Sequence, residues 1–279
     1  MVSIDRAGDF LHQHGVLWER ALFAQLFEGG PRERTLRCLA LYQNEDGGWG
    51  HGLEHDIRTP ASNAPSAEYA LGLMLEFGLA EEETVQRTAE WSARTQREDG
   101  TLALGEEFHR RPRAGWWQEV REWPADAIVG RLAALGVVPP VLLQRTARWV
   151  ARTLTLDELR GLDGESWRYR LYHYGDYFLN ADPSLRSRAG APGGWHDAVI
   201  SKTLELAEAD PGDSGPLSFG WAPRLPGPAV PAALLERHLD AVAAAQAEDG
   251  GWPDPHGLLQ WRPIRTIWAL KRLREHGRV

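Results

Sequence analysis

The sequence predicts an all-α fold arranged as an α/α toroid, a barrel of five to six helical hairpins with inner and outer rings of helices. Three observations predict it. Apolar residues recur at helical spacing (i, i+3, i+4, i+7), alternating strand patterns are nearly absent, and a short tag ends three of the helical segments. The tag reads Gln-Asn-Glu-Asp-Gly-Gly-Trp at 43–49, Gln-Arg-Glu-Asp-Gly at 96–100 and Gln-Ala-Glu-Asp-Gly-Gly-Trp at 246–252.

Two kinds of helical segment alternate along the chain, after a first segment over 7–28 that ends at Gly29-Gly30-Pro31. One kind is amphipathic and carries Arg and Glu on one side, as expected of outer helices that face water. These outer segments cover 32–43, 81–97, 139–153 and 229–246. The other kind is shorter and more apolar, as expected of inner helices, and covers 66–78, 124–136, 195–209 and 263–276. Between 154 and 194 the pattern is weaker, and we expect a helix over 167–179 and another start at Asp182-Pro183.

The tag is interpreted as a structural joint between helices. Its Gln can bond the exposed carbonyls at a helix end, and Asp-Gly-Gly allows the positive φ of a sharp exit. Its Trp then packs back on a neighbouring element. The tag therefore predicts geometry, and the chemistry must come from other residues.

Composition narrows the class of protein. A net charge of −8 argues against nucleic acid as the main partner, and no apolar run approaches the 18 or so residues of a membrane-spanning helix. The sequence 1–6 lacks the pattern of a signal peptide, and the single cysteine, Cys38, excludes an internal disulfide and a multi-cysteine zinc site. We expect a single toroid domain over 1–279, in the cytoplasm, acting on a small molecule; the sequence does not indicate an oligomeric state.

Two stretches carry a family resemblance. The tag at 43–50 is followed by Pro-Ser-Ala-Glu-Tyr-Ala-Leu at 65–71, and the tag at 246–252 by Thr-Ile-Trp-Ala-Leu at 266–270. In these stretches the chain resembles the terpenoid cyclase and protein prenyltransferase superfamily, whose toroids carry Gln…Asp-Gly-Gly-Trp-Gly repeats before an Ala-Leu-containing inner helix. The resemblance implies the toroid fold and a small, largely apolar substrate.

The catalytic signatures of that superfamily are missing from the sequence. It contains neither Asp-x-Asp-Asp nor Asp-Asp-x-x-Asp, and Cys38 precedes the first tag, where the zinc-binding Asp-x-Cys of the prenyltransferases does not fit. No sequence signature requires a cofactor. We therefore expect this chain to share the fold of the superfamily, and we do not infer its activity from the resemblance.

Acidic residues at the starts of inner helices are the first candidate site. Aligning inner helices on their closing glycines places Glu68 and Asp126 at the same position, and Asp197 follows a similar pattern. Arg262 and Arg265 occupy this region in the last repeat, so we expect carboxylates facing an arginine pair. Asp126 and Asp197 are the preferred general acids, because an apolar pocket raises the pKa of a carboxyl group. The alternative is that the helix dipole alone favours these acids.

The loop after the first tag is a second candidate. It carries His51, Glu54, His55, Asp56 and Arg58, of which Asp56 is a candidate acid or base and Glu54 and His55 candidate substrate contacts. The two histidines with Glu54 or Asp56 are also potential ligands of a divalent metal, but loop spacing constrains little and no metal ligands are assigned. Loop polar groups bonded to backbone are the plain alternative.

Further candidates are aromatic or basic. We expect substrate contacts from the following residues: Trp117, Trp123, His173, Tyr177 and His196. The basic segment 109–117 is expected either to clamp a phosphate or act as a lid, or to be a solvated loop face.

Three functions are compatible with these patterns. The first is a terpenoid-cyclase-like enzyme of the lyase or isomerase type, with a Trp-rich cavity, a carboxylic general acid and aromatic faces that stabilise cationic charge. The second is an enzyme on the same fold that acts on a sugar or phosphorylated substrate through paired carboxylates. The third is a non-catalytic binding or scaffold toroid. A cavity lined by aromatic and aliphatic groups favours the first, and convergent charges favour the second.

Overall fold

The computed structural model describes residues 2–153, 176–177, 180–181, 204–205, 208–209 and 230–279, and the secondary structure there is mostly helical. The all-α prediction is confirmed. The helices are α1 Ile4–His14, α2 Leu17–Phe27, α3 Arg32–Ala40, α4 Ala64–Phe77, α5 Glu82–Thr95, α6 Glu106–Arg110, α7 Asp126–Ala134, α8 Pro140–Thr153, α9 Ala232–Ala244 and α10 Arg262–Glu275. A two-stranded antiparallel hairpin, β1 Thr101–Ala103 and β2 Glu122–Pro124, was not predicted, because three-residue strands are too short to show an alternating pattern.

The first predicted segment, 7–28, is two helices. Gly15 is the C-cap of α1, and its N–H donates to Leu11 O; Val16 is the N-cap of α2, and its N–H donates to Glu19 Oε2 at 2.8 Å. The apolar spacing continues across this two-residue break, so periodicity alone does not reveal it. The inner segment 195–209 and the helix expected over 167–179 lie mostly outside the described residues.

The helices form two compact units, Met1–Leu39 with Ile200–Val279 and Ala40–Val199. In the first unit, α10 packs against α1, α2 and α9. In the second unit, α4 packs against α7 and α5, and α8 packs against α5 and α7. Within the described ranges, no helix has the length and apolar character needed to span a bilayer.

The three tags bind other helices in one common register. In each tag the Gln side chain donates to a carbonyl of its own turn and to a group near the start of another helix, where the sequence analysis expected the carbonyls of its own helix end. The tag Gln and its partners on the other helix are Gln43 with Thr84 O and Thr88 Oγ1 of α5, Gln96 with Leu142 O and Thr146 Oγ1 of α8, and Gln246 with Ser3 O before α1. The tag is therefore a joint, as predicted, and the joint is made to a second helix.

One glycine in each tag makes this approach possible. In the partner segment, one carbonyl accepts from the tag Gln. The carbonyl three residues later faces a glycine of the tag that has positive φ. A Cβ on that glycine would lie 2.4 Å from Arg87 O at Gly47, 2.6 Å from Arg145 O at Gly100 and 2.1 Å from Arg6 O at Gly250. Any larger residue would have to push the two helices apart.

Gly47→Ala is expected to lower the free energy of unfolding by roughly 3 kcal/mol or more, because it adds a backbone clash to positive-φ strain. Gly78→Ala is the matched control, since Gly78 also has positive φ (63°) but no atom lies within 4 Å of its added Cβ. The control should lose only about 1 kcal/mol. Urea denaturation of both variants measures the difference, and equal losses would mean that the joint does not depend on close approach.

Candidate functional site

The loop after the first tag buries three of its ionisable side chains, whereas His51 and Arg58 are exposed. Glu54, His55 and Asp56 are all buried, with Glu54 only 7% exposed. Backbone bonds tie this loop to the segment before β2: Ala114 N–H donates to Asp56 O at 2.9 Å, and Arg58 N–H donates to Pro112 O at 2.9 Å. These bonds fix the loop in place, and the bond from Asp56 N–H to Glu54 Oε2 is of the kind that the plain alternative, loop polar groups bonded to backbone, expects.

Burial makes Glu54 a weak acid. Loss of solvation, and then the negative charge of Asp56, raise the pKa of the Glu54 carboxyl from 4.5 to about 8, and Glu68 adds to the rise. The N–H of Asp56, 2.8 Å from Glu54 Oε2, and the charge of Arg58 act in the opposite direction. Glu54 therefore keeps its proton at neutral pH. We call Glu54, Asp56 and Glu68 the carboxylate cluster.

Helix α4 supplies Glu68 to the cluster. Asn63 caps this helix by accepting from Ser66 N–H at 3.0 Å, which fixes the first turn and with it the direction of Glu68. Trp123, placed by β2, donates from Nε1 to Glu68 Oε2 at 2.6 Å. Glu68 is therefore held near the start of α4 by a neighbouring indole.

Arg131 is a residue of the candidate site that was not predicted from the sequence. It lies on α7, is 1% exposed, and donates from Nε to Asp176 Oδ2 at 2.7 Å and from Nη1 to Glu68 O at 2.5 Å. Its Nη1 is also 3.8 Å from Glu68 Oε1. The signal in the sequence is an arginine between apolar residues at 128–134 of an inner helix, next to Gly130. A Cβ on Gly130 would lie 2.2 Å from the backbone of Asp176, so the glycine permits this close approach.

The other predicted residues of this unit are buried near the same helices. Asp126 is the first residue of α7, fully buried, where a helix N-terminus favours negative charge. Tyr177 is also fully buried, and His55 packs edge-on against Tyr69 with ring centroids 6.2 Å apart. Since α4 packs against α7, Glu68 and Asp126 belong to one unit of the structure.

Aromatic rings form a chain that ends at the carboxylate cluster. Phe108 meets Trp117 with centroids 6.1 Å apart, and Trp117 meets Trp123 at 5.0 Å. Trp123 then binds Glu68, as described above. Trp117 and Trp123, both predicted to contact a substrate, are thus joined to the acidic residues by direct packing.

The predicted arginine pair lies in the other unit. Arg262 forms a bidentate ion pair with Asp249 of the last tag, with distances of 2.8 and 2.7 Å, and its guanidinium stacks on Phe10. Arg265 is 3.6 Å from Asp254. Both arginines are therefore engaged at the joint made by the last tag. Asp197, His173 and His196 lie outside the described residues.

Two arginines of the basic segment 109–117 form ion pairs with acidic residues of α6. Arg110 and Arg111 pair with the acids of α6, Glu106 and Glu107, and Arg113 Nη1 donates to His109 O at 2.7 Å. Burial, followed by the charges of Arg121 and Arg113, lowers the pKa of His109. The arginines are engaged in local bonds, which supports the loop-face interpretation over a phosphate clamp.

His51 is separate from the buried group. It is exposed, has a positive φ of 58°, and its Nε2 is 2.8 Å from Asn44 Oδ1 of the tag. Among the residues that the structure describes, there is no group of three or more His, Cys, Asp or Glu arranged to hold a metal ion.

No protein-family model, curated protein or solved structure matches the chain.

The arrangement combines a proton donor with negative charge. A protonated Glu54 can give its proton to a bound molecule, and the charges of Asp56 and Glu68 favour positive charge developing beside it. Burial excludes water, which strengthens both effects. Such a site is suited to reactions that begin with protonation and pass through a cationic state.

Proposed function

We propose that this protein is an enzyme in which Glu54 acts as the general acid on a small, largely apolar substrate, in the manner of the terpenoid cyclases that its tags resemble. The observation that carries the proposal is the buried Glu54 carboxyl, which shares its surroundings with Asp56 and Glu68 and has a pKa raised to about 8. A donor with this pKa is protonated in most molecules at neutral pH and still releases its proton readily.

The aromatic chain supports the cationic part of the reaction. The faces of Trp117 and Trp123 can stabilise positive charge, and Glu68, bonded to Trp123, adds a carboxylate next to them. The proton of Glu54 would create that charge on the substrate, and the same buried surroundings would protect it from water.

We also propose that the hairpins close into an α/α toroid. The first two tags each bind an outer helix that follows them in the chain, α5 and α8. The last tag binds the start of α1 in the same register, through Gln246 and Gly250. A joint that links the last hairpin to the first helix is what a closed ring requires.

Replacement of Glu54 tests the general acid. Glu54→Gln should lower turnover of an isoprenoid panel by at least about 100-fold, because the amide cannot give up a proton at this pH. Turnover by the unaltered protein should fall as pH rises through about 8, where Glu54 loses its proton. Product analysis by mass spectrometry over pH 5–9 measures both effects.

Two further variants make this test specific. Glu119→Gln, an exposed carboxylate of the same unit, should leave turnover unchanged. Asp126→Asn tests the donor that the sequence analysis favoured, and a loss there with full activity in Glu54→Gln would overturn the assignment to Glu54. Failure of the unaltered protein to turn over any isoprenoid would remove this substrate class.

One observation favours the second candidate, an enzyme for a sugar or phosphorylated substrate. Two arginines lie close to the acidic residues. The charge of Arg58 lowers the pKa of Glu54, and Arg131 Nη1 is 3.8 Å from Glu68 Oε1. Polar substrates are oriented by such groups, and paired carboxylates cleave glycosides. Turnover of a panel of aryl glycosides, lost in Glu54→Gln, would select this candidate; binding without turnover in both panels would select a scaffold.

A further inference from the structure

We infer that the indole N–H of Trp117 is a substrate-binding donor, and that the substrate therefore carries a neutral oxygen acceptor, a hydroxyl or an ether, next to the proton donor. The inference rests on the proposed function and specifies the substrate class of that site. It names a feature that an isoprenoid alcohol or ether and a glycoside share.

The first step is the state of the Trp117 nitrogen. Trp117 is 6% exposed, and its Nε1 has no hydrogen-bond partner in the part of the chain that the structure describes. Burying a donor without an acceptor is unfavourable in free energy, because its hydrogen bond to water is lost and not replaced. A ligand acceptor that completes the bond would remove this cost.

The second step is the position of the ring. Trp117 packs on Trp123, with centroids 5.0 Å apart, and Trp123 uses its own N–H to bind Glu68. One side chain, Trp123, therefore links the Trp117 ring to Glu68 of the carboxylate cluster. The backbone around Trp117 is fixed, because Arg113 Nε donates to Trp117 O at 3.3 Å and Ala114 N–H binds Asp56 O.

The third step is the chemistry that the two donors share. A protonated Glu54 needs an atom that can accept a proton, and the indole needs an atom that can accept a hydrogen bond. Hydroxyl and ether oxygens have two lone pairs and can satisfy both donors, whereas a hydrocarbon satisfies neither fully. Protonation of that oxygen by Glu54 would turn it into a leaving group, as water or an alcohol, and leave the positive charge on carbon.

The experiment measures binding to Trp117→Phe, which keeps an aromatic ring and removes the N–H. Isothermal titration uses three probes: a C10 isoprenoid alcohol, the C10 hydrocarbon of the same skeleton, and a methyl glycoside. The unaltered protein should bind one of the two oxygen-bearing probes about 5- to 10-fold more tightly than the hydrocarbon, as a single hydrogen bond predicts. Trp117→Phe should lose most of that preference, because only the bond from Glu54 remains, and should leave hydrocarbon binding within about 2-fold.

Two controls separate binding from folding. Trp116→Phe changes the exposed neighbouring ring and should keep the preference for oxygen. Trp123→Phe makes the same ring change but also takes a donor from Glu68, so its melting temperature should fall further than that of Trp117→Phe, by roughly 2–4 °C.

The outcomes are decisive for Trp117 whatever happens to the proposed acid. If Trp117→Phe keeps the preference for oxygen, if the unaltered protein prefers the hydrocarbon, or if no probe binds, the inference is overturned. Binding by the Glu54→Gln variant should persist with lost turnover. A preference for oxygen that depends on Trp117, together with full turnover in Glu54→Gln, would leave the binding role standing and reject the general acid.

Discussion

Arg131→Met should lower the free energy of unfolding by about 3–5 kcal/mol, one of the largest losses expected from a single substitution in this chain. Arg131 is buried with two acids: it binds Asp176 at 2.7 Å and lies 3.8 Å from a carboxylate oxygen of Glu68. Methionine fills most of the same space but has no charge. It would leave the carboxylate of Asp176 buried without the guanidinium, and would remove one of the donors to the carbonyl of Glu68.

Urea denaturation at pH 7 measures this loss. Arg148→Met is the matched control, because Arg148 is exposed on α8 and its replacement should change stability by less than about 0.5 kcal/mol. Adding Asp176→Asn to Arg131→Met should recover part of the loss, since the amide needs no counter-charge. A loss of the same size in the control, or no recovery in the double variant, would show that Arg131 does not act through this ion pair.

The sequence predicted that the tags are joints between helices, but it did not predict which helix each tag binds. The residues of each tag predict a turn, but they do not indicate which helix the tag packs against. A second sequence repeat, in the partner helices themselves, carries that information. The segments 86–95 and 144–153, Gln-Arg-Thr-Ala-Glu-Trp-Ser-Ala-Arg-Thr and Gln-Arg-Thr-Ala-Arg-Trp-Val-Ala-Arg-Thr, are identical at eight of ten positions. These are the surfaces on which the first two tags pack, and comparison of outer helices with one another could have found them.

Several residues of the candidate site can be picked out from the sequence. Glu68 and Asp126 follow from the helix starts, and Glu54, His55 and Asp56 from the density of charge in one loop. Their burial could not be predicted, because it depends on backbone bonds between that loop and 112–114, far along the chain. Arg131 was missed because arginine on a helix usually faces water, and its burial depends on partners elsewhere in the chain, Asp176 and Glu68.

Glu54→Gln is expected to make the protein more stable at alkaline pH, by a margin that grows between about pH 4.5 and pH 8. The folded state holds the Glu54 proton up to about pH 8, whereas the unfolded chain releases it near 4.5. Over that interval the folded state binds more protons, so the contribution of Glu54 to stability is full at low pH and is lost as pH rises through 8. Glutamine is neutral at every pH and does not suffer this loss.

The size of the effect follows from the shift in pKa. Each unit corresponds to about 1.4 kcal/mol, so the variant should exceed the unaltered protein by on the order of 3–5 kcal/mol at pH 9 and be nearly equal to it at pH 4.5. Denaturation curves at several pH values give the difference, in which the other titrating groups cancel. Glu119→Gln should show a constant difference near zero. A Glu54→Gln difference that does not change with pH would mean that Glu54 is ionised in the folded protein.

Stability and turnover of the same variant together decide what Glu54 is for. A carboxyl whose main role is to hold the loop through the N–H of Asp56 would cost stability when replaced, at every pH. A carboxyl kept protonated by burial for proton transfer would do the opposite: its replacement would stabilise the protein above neutral pH and abolish turnover. The second combination is the one that the surroundings of Glu54 predict, because loss of solvation is the largest cause of its raised pKa and the bond to Asp56 only partly offsets it.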